Sequence, residues 1–337
     1  MGETHSQTPD PGAAAGSGTS PDGGRRLVSV VTPAFNEADN LPSLYRRLLL
    51  VFDSQSLNWE WVVVDDHSGD TTFEVLADLA RRDKRVRAVR LARNSGSHAA
   101  ITCGLHLARG DCAVLMAADL QDPPEVLPKL TGPWLEGAQV VWAVRTHREG
   151  EPVATLGLAR LYYWLMRRVV GIAEMPATGA DFLLMDRRVL EAFRQFGESN
   201  ASVLALITWM GFRQVAIPYD KQARVHGRSG WSLAKKVKLV VDSVTSFTYL
   251  PIRAMSYVGF AVSLAGFAYA GHVLLNRLRG HPAEGWSSLM VAVLVVGGTQ
   301  MLMMGVLGEY VWRALDESRR RPRYLIEAVA SQESEPE

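Results

Sequence analysis

Two acidic tracts carry the residue types from which chemistry could be built. Val64-Asp65-Asp66-His67-Ser68-Gly69-Asp70 follows one apolar run, and Asp119-Leu120-Gln121-Asp122-Pro123-Pro124-Glu125 follows another. Carboxylates crowded together repel one another unless a cation or hydrogen-bond donors offset their charge. A divalent metal bridging a diphosphate is one answer. Mg2+ and Mn2+ prefer oxygen ligands and share them with substrate phosphates, and such an ion neutralises charge as a diphosphate leaves. Turn formation and helix capping account for Asp65, Asp66 and Asp70 equally well. Capping alone does not explain an acidic tract after a buried strand that is stopped by two prolines.

The elements that must position these tracts are legible between Arg25 and about Tyr219. Continuous apolar runs at Leu27 to Thr32, Trp59 to Val64, Val86 to Leu91 and Cys112 to Met116 read as buried strands. Helical spacing covers Leu41 to Phe52, Thr72 to Arg82 and His98 to Ala108. Asp70, Thr71 or Thr72 is available to cap the second helix. Strands alternating with helices imply an α/β architecture with a mostly parallel, doubly wound sheet. Ligands bind such sheets beyond the carboxyl ends of the strands, where both acidic tracts fall. Residues 1–24, rich in Gly, Pro, Ser, Thr and Ala, read as a disordered tail without a secretory signal.

The formal net charge of +1 over 337 residues argues against nucleic acid as a partner. Cys103 and Cys112 are too few for a disulfide framework and have no metal-ligand spacing. They read as small apolar core residues.

From Gly230 the character changes. Residues 230–252 include Lys235, Lys236 and Lys238 among Leu233, Val237, Leu239, Val240, Val244 and Phe247, the pattern of a basic amphipathic helix on an anionic lipid surface. Ala254 to Asn276 and Trp286 to Gly308 are each long enough to span hydrocarbon and hold no Asp, Glu, Lys or Arg. The intervening loop carries Arg277 and Arg279. The flanks carry Lys235, Lys236, Lys238 and Arg253 on one side, and Arg313, Arg319, Arg320, Arg321 and Arg323 on the other. The positive-inside rule therefore places the large domain (25–229), the tail (314–337) and both termini in the cytoplasm, around a two-helix hairpin (253–313) in the cell membrane. Glu309 and Arg313 share one helical face and are expected to pair. Gly297, Gly298, Gly305 and Gly308 could pack such hairpins into a homo-oligomer.

The motifs, taken in order, resemble a known family. Thr32-Pro33-Ala34-Phe35-Asn36-Glu37, the two acidic tracts and Arg93-Asn94-Ser95-Gly96 are similar to motifs of family 2 glycosyltransferases with a GT-A fold. The match continues through Thr178-Gly179-Ala180-Asp181-Phe182, Arg224-Val225-His226-Gly227-Arg228-Ser229, Gly308-Glu309-Tyr310 and Arg321-Pro322-Arg323-Tyr324. It covers about Leu27 to Glu327 and resembles the polyprenyl-phosphate subgroup in particular. That resemblance implies that Pro33, Phe35, Glu37, Asp65 and Asp66 line the nucleotide pocket. With Ala118 beside them, Asp119 and Gln121 would hold Mg2+ or Mn2+ and the diphosphate. Arg145 and Arg160 would contact phosphate, for which a planar guanidinium fork is better matched than Lys; a solvated surface charge is the plain alternative for each. Arg224 and Ser229 would lie near the acceptor phosphate. Asp181 would act as base or acceptor-positioning group, or else as a structural carboxylate in a turn.

The implied reaction is inverting transfer of a hexose-type sugar from a UDP- or GDP-linked donor to undecaprenyl or dolichyl phosphate at the cytoplasmic membrane face. A lipid monophosphate is already largely ionised near neutrality, its second pKa being about 6. Positioning and leaving-group stabilisation should then supply most of the rate. The chain departs from the family pattern in two places. Ala117-Ala118-Asp119 stands where relatives often read Asp-x-Asp, and Gly230 stands where they often carry a cation. The first departure motivates an alternative, a catalytically weak nucleotide-sugar-binding or scaffold protein. A processive polysaccharide synthase is another, but the chain has no Gln-x-x-Arg-Trp motif.

Overall fold

The computed structural model describes residues 24–55, 57–146, 181–198, 202–222, 245, 248–279 and 285–332. The expected apolar runs form the centre of one sheet. β1 (Leu27–Ala34), β2 (Asn58–Asp65), β3 (Val86–Leu91) and β4 (Cys112–Leu115) run parallel, with β1 between β2 and β4. The helices α1 (Leu41–Asp53), α2 (Thr72–Arg82) and α3 (Ser97–Leu107) fall within two residues of their expected limits. Residues alternating along each strand feed two separate cores, as a sheet covered on both faces requires. Val28, Val30, Trp61 and Val63 pack with Leu41, Leu44, Leu48 and Leu76 on one face. Val31, Val62, Val64 and Val89 pack with Ala100, Cys103 and Leu105 on the other. Trp61 is fully buried, and its indole Nε1 donates to Thr32 Oγ1 at 2.9 Å, so its polar atom is satisfied. Both cysteines are buried free thiols, as expected.

α3 lies unusually close to the sheet. A Cβ on Gly104 would collide with Val31 Cγ1, so only glycine permits this approach. The helix holds Ala99, Ala100, Cys103 and Leu105 in the core and sets the loop before it, residues 93–96, against the end of β2.

Beyond β4 the sheet is mixed rather than parallel. A 3₁₀ turn (Pro124–Val126) and α4 (Leu127–Leu135) lead to β5 (Val140–Arg145). β6 (Phe182–Asp186), α5 (Arg187–Phe193), α6 (Val203–Trp209) and β7 (Gln214–Tyr219) complete this half. β6 runs antiparallel between β4 and β5, and β5 pairs parallel with β7. Reversal of β6 brings its first residues to the edge where β4, β5 and β7 end. Residues from four strands are gathered there.

α7 (Leu250–Leu278) and α8 (Trp286–Ser318) are long and apolar enough to cross a membrane, and their apolar windows are not buried within the protein. Phe260, Phe267, Leu294 and Met301 are all exposed along them. An apolar surface of that extent marks a site of membrane or protein association. Met303 of α8 reaches Gly259 of α7, where a Cβ would lie 3.0 Å from its Cε. Arg313 Nη2 meets Glu309 Oε1 at 2.7 Å, the expected pair.

The chain then returns to the sheet. β8 (Ile326–Ala330) pairs antiparallel with β3, giving the eight-strand order β7-β5-β6-β4-β1-β2-β3-β8. The reading of 314–337 as a tail is corrected on this point. The strand is only five residues long and largely exposed, which leaves little apolar pattern to detect. It covers an edge that would otherwise present unpaired backbone groups. The expected basic helix falls almost wholly outside the described residues.

Candidate active site

The two acidic tracts lie beyond the carboxyl ends of β2 and β4, and their charges are offset in different ways. In the first tract the protein's own donors do most of the work. Asp65 is fully buried, and its Oδ1 accepts from the Ser68 amide at 3.0 Å and from the Ser68 hydroxyl. Its Oδ2 faces Arg90 Nη1 at 3.8 Å. Asp66 Oδ1 accepts from the Ser95 amide at 2.7 Å and Oδ2 from the Gly96 amide at 2.8 Å. Burial pushes the Asp66 carboxyl above its ordinary range, and those two amides oppose the rise. Gly96 has a φ of 90°, a conformation that leaves its amide aimed at Asp66 and that a side chain would strain. Asp70 Oδ1 accepts from the Thr72 amide at 3.0 Å and so serves the start of α2.

This lacing fixes the β1–α1 loop as well. The Asn36 amide donates to Ser68 Oγ at 2.9 Å, and the Gly69 amide donates back to Asn36 Oδ1 at 3.0 Å. The Glu37 amide donates to Thr72 Oγ1 at 2.9 Å. Asn36 and His67 both take a positive φ, 56° and 59°. Between these loops Phe35 stands 47% exposed, a large apolar face at the strand ends. Pro33 is half-buried within β1 itself. Asp65 and Asp66 therefore brace the loops at the strand ends, with their carboxylates turned to the protein's own donors. Ala118 is likewise buried among the core residues, so only its backbone can face a ligand.

The second tract divides among different partners. Glu125 forms a two-pronged pair with Arg47, Oε1 to Nε at 2.9 Å and Oε2 to Nη2 at 2.5 Å, and that guanidinium holds its carboxyl below the usual range. Asp122 is fully buried and accepts at Oδ1 from the Tyr219 hydroxyl at 2.6 Å. Lys221 Nζ lies 3.6 Å from the same oxygen. Asp119, nearly buried, accepts from the Gln121 amide at 3.2 Å, across Leu120 with its φ of 60°.

Asp181, just ahead of β6, meets Arg145 from the end of β5. Arg145 Nη2 lies 2.8 Å from Oδ1 and 3.0 Å from Oδ2. Lys221 Nζ approaches Asp181 Oδ2 at 3.6 Å. Desolvation pushes the Asp181 carboxyl up, but the charges of Lys221 and Arg145 outweigh it and hold the group below its ordinary value. A carboxylate held in that way is a poor proton acceptor and a good anchor. The expected Asp119, Asp181 and Arg145 thus come to one edge of the sheet. Arg160, Arg224 and Ser229 lie outside the described residues.

Asp122, Tyr219 and Lys221 are not marked as site residues by the sequence motifs. A signal exists: Val215, Ile217 and Tyr219 alternate as in a half-buried strand, and such a strand delivers the charged pair Asp220-Lys221 to its carboxyl end.

Among the described residues no three His, Cys, Asp or Glu side chains converge on a metal position. Asp119 and Gln121 offer hard oxygen atoms, the donor type that Mg2+ and Mn2+ take. Such ions are commonly held by one or two carboxylates plus substrate phosphates, so the residues fit an ion completed by a diphosphate.

Residues 29–193 match the family model described as Glycosyl transferase family 2. An uncharacterized glycosyltransferase of Synechocystis sp. is 37% identical over 300 residues, 89% of this chain and 94% of that protein. The chain belongs to glycosyl transferase family 2. The undecaprenyl-phosphate 4-deoxy-4-formamido-L-arabinose transferase of Edwardsiella ictaluri is 36% identical over 308 residues, 90% of this chain and 94% of that protein. The bactoprenol glucosyl transferase of Shigella phage SfV is 33% identical over 300 residues, 89% of this chain and 97% of that protein. Among solved structures, glucosyl-3-phosphoglycerate synthase of Mycobacterium tuberculosis aligns with 64% of this chain and 78% of that chain, at 19% identity and a TM-score of 0.49. The family model takes in both acidic tracts, Arg145 and Asp181, and ends before Lys221. As a glycosyltransferase of this family, the chain joins its GT-A sheet to an apolar hairpin.

Proposed function

We propose that the chain transfers a hexose-type sugar, with inversion, from a UDP- or GDP-linked donor to a polyprenyl phosphate at the cytoplasmic face of a membrane. The observation that carries this reading is the union of a glycosyltransferase sheet with an apolar hairpin through β8. A soluble acceptor needs no such hairpin. The names of the Edwardsiella and Shigella phage relatives point to an acceptor of the same kind.

Phe35 and the loops laced by Asp65 and Asp66 would receive the nucleotide. Asp119 and Gln121 would hold Mg2+ or Mn2+, which offsets charge on the departing nucleoside diphosphate. Arg145 supplies a planar fork for phosphate oxygens. The acceptor phosphate, already ionised, attacks the anomeric carbon from the face opposite the leaving diphosphate. Asp181 has no need to remove a proton and serves by holding Arg145.

The test uses the full chain in lipid nanodiscs with undecaprenyl phosphate, Mg2+ or Mn2+ and a panel of nucleotide sugars. Release of nucleoside diphosphate and a lipid-linked sugar of matching mass is expected with one donor. Chelation or Asp119→Ala should lower turnover by about 100-fold, the scale of losing one charge-stabilising group. Ligand binding without release from any donor sinks the reading in favour of a binding protein.

A further inference from the structure

Lys221 lies outside the family match and outside every motif, yet it sits at the centre of the charged edge. Its side chain is 14% exposed, low for a lysine, and its ammonium lies 3.6 Å from a carboxylate oxygen on each of two different loops. One of those carboxylates, Asp122, is fully buried and fixed by Tyr219. The other, Asp181, is the group that grips Arg145.

The loop carrying Lys221 is itself pinned. The Gln222 amide donates to the Gln121 carbonyl at 2.9 Å, so the end of β7 is tied to the loop after β4. Arg145 and Tyr219 are register partners across β5 and β7. Tyr219, Asp122 and Lys221 therefore form one unit, which meets the Arg145–Asp181 pair through the Lys221 ammonium and through the Tyr219 hydroxyl beside the Arg145 guanidinium. The Asp181 side chain is 50% exposed and precedes its strand, and among the described residues Arg145 and Lys221 are the cations that pair with it. An ammonium is a point charge that can serve two carboxylates at once from between them.

The geometry points to Lys221, seated by Asp122 and Tyr219, as a positioning residue that fixes Asp181 and through it the Arg145 guanidinium at the reacting phosphates. This inference rests on the proposed sugar transfer. In this role Lys221 acts through the arginine, by way of Asp181, rather than on the donor itself. A misplaced guanidinium fork meets the leaving phosphates in the wrong plane, which lowers the rate of the bound complex more than its formation.

The experiment compares Lys221→Met, Lys221→Arg and Tyr219→Phe with the unaltered full chain in nanodiscs. It measures kcat, the donor KM and the affinity for free nucleoside diphosphate. Lys221→Met is expected to lower kcat by about 10- to 100-fold while KM and nucleoside diphosphate affinity stay within about threefold. Lys221→Arg should recover most of kcat, and Tyr219→Phe should lower it in the same direction by a smaller factor. Unchanged kcat in folded Lys221→Met overturns the inference, as does a tenfold loss of nucleoside diphosphate affinity with kcat retained. A crystal structure of Lys221→Met tests the same point independently of turnover. Displacement of Asp181 from Arg145 supports the inference, and an intact pair overturns it. Should the unaltered chain turn over no donor, the transfer reading fails on its own, while that structure still decides the role of Lys221. If Lys221→Met does not fold, Lys221→Arg and Tyr219→Phe carry the comparison, and full activity in Tyr219→Phe overturns the seating of the lysine.

Discussion

At the scale of single residues, the same side-chain type serves opposite ends within a few positions. Asp119 accepts from the Gln121 amide and is the carboxylate to which the proposed metal role falls, whereas Asp66 spends both oxygens on the amides of Ser95 and Gly96. Asp66→Asn tests that difference. An amide side chain presents a donor to one of two donors, so one backbone N–H loses its partner in a buried place. A loss of about 1–3 kcal/mol follows, read as a lower Tm, together with faster hydrogen exchange at Ser95 and Gly96. If exchange there is unchanged, Asp66 is not what holds that loop. The sequence makes Asp65 and Asp66 visible as a cluster, but their burial and inward aim depend on amides as much as about 30 positions away. Asp119, Asp181 and Arg145 are legible because motif order marks them. Lys221 is not, because what matters about it is its distance from Asp122 and Asp181, and those residues lie 99 and 40 positions away in the chain.

At the scale of elements, legibility follows apolar length. β1 and β2 hold eight residues each with near-continuous burial, and runs such as Trp61 to Val64 announce them. β8 holds five largely exposed residues and so has little apolar pattern to reveal it, whereas β6 is a short buried apolar run whose antiparallel direction depends on partners in β4 and β5 about 40 to 70 positions away. The junction between α2 and β3 shows what fixes an element's start. Asp83 Oδ2 accepts from Arg85 Nη2 at 2.7 Å and from the Tyr45 hydroxyl at 2.6 Å. Burial pushes the Asp83 carboxyl up, but the donors from Arg85 and Tyr45 more than offset this and hold it at about 2 against 3.8. The folded pKa is the lower one, so the stabilisation is complete above the unfolded value and fades as pH falls from about 4 through about 2. With Arg85 38% exposed, solvent screening reduces it to about 1 kcal/mol. Asp83→Asn should therefore lower stability by about that much at pH 7 and shrink the further loss between about pH 4 and pH 2, measured by tryptophan fluorescence in urea. An unchanged acid limb would show that other carboxylates set it.

At the scale of the whole molecule, β8 decides more than a sheet edge. The chain leaves the catalytic sheet for α7 and returns from α8 into hydrogen bonds with β3, Ala92 N meeting Leu325 O at 2.8 Å. Glu327 then pairs with Arg90 at 3.0 Å, and the Tyr324 hydroxyl meets His106 Nδ1 at 2.9 Å. The returning end of the hairpin therefore lies beside the sheet, and the Tyr310 hydroxyl, donating to the Thr248 carbonyl at 2.9 Å, sets the start of α7 next to the end of α8. Helices of 29 and 33 residues extend about 1.5 Å per residue, enough to span about 30 Å of hydrocarbon and project beyond it. Charge supports the proposed side: Arg313, Arg319, Arg320, Arg321 and Arg323 crowd the returning flank, which favours a sheet facing the cytoplasm. Single cysteines report this directly. Cys103 and Cys112 are buried, and burial pushes the Cys103 thiol up to about 12, so the native thiols stay silent. A membrane-impermeant maleimide applied to intact spheroplasts should label Arg279→Cys, at the far end of α7, and spare Leu325→Cys. Inverted vesicles should give the opposite pattern. Removing Arg279 from the distal loop only sharpens the charge asymmetry, so the substitution does not favour the contrary orientation. Labelling of both positions from one face rules out the membrane-crossing hairpin, and the reversed pattern rules out a cytoplasmic sheet.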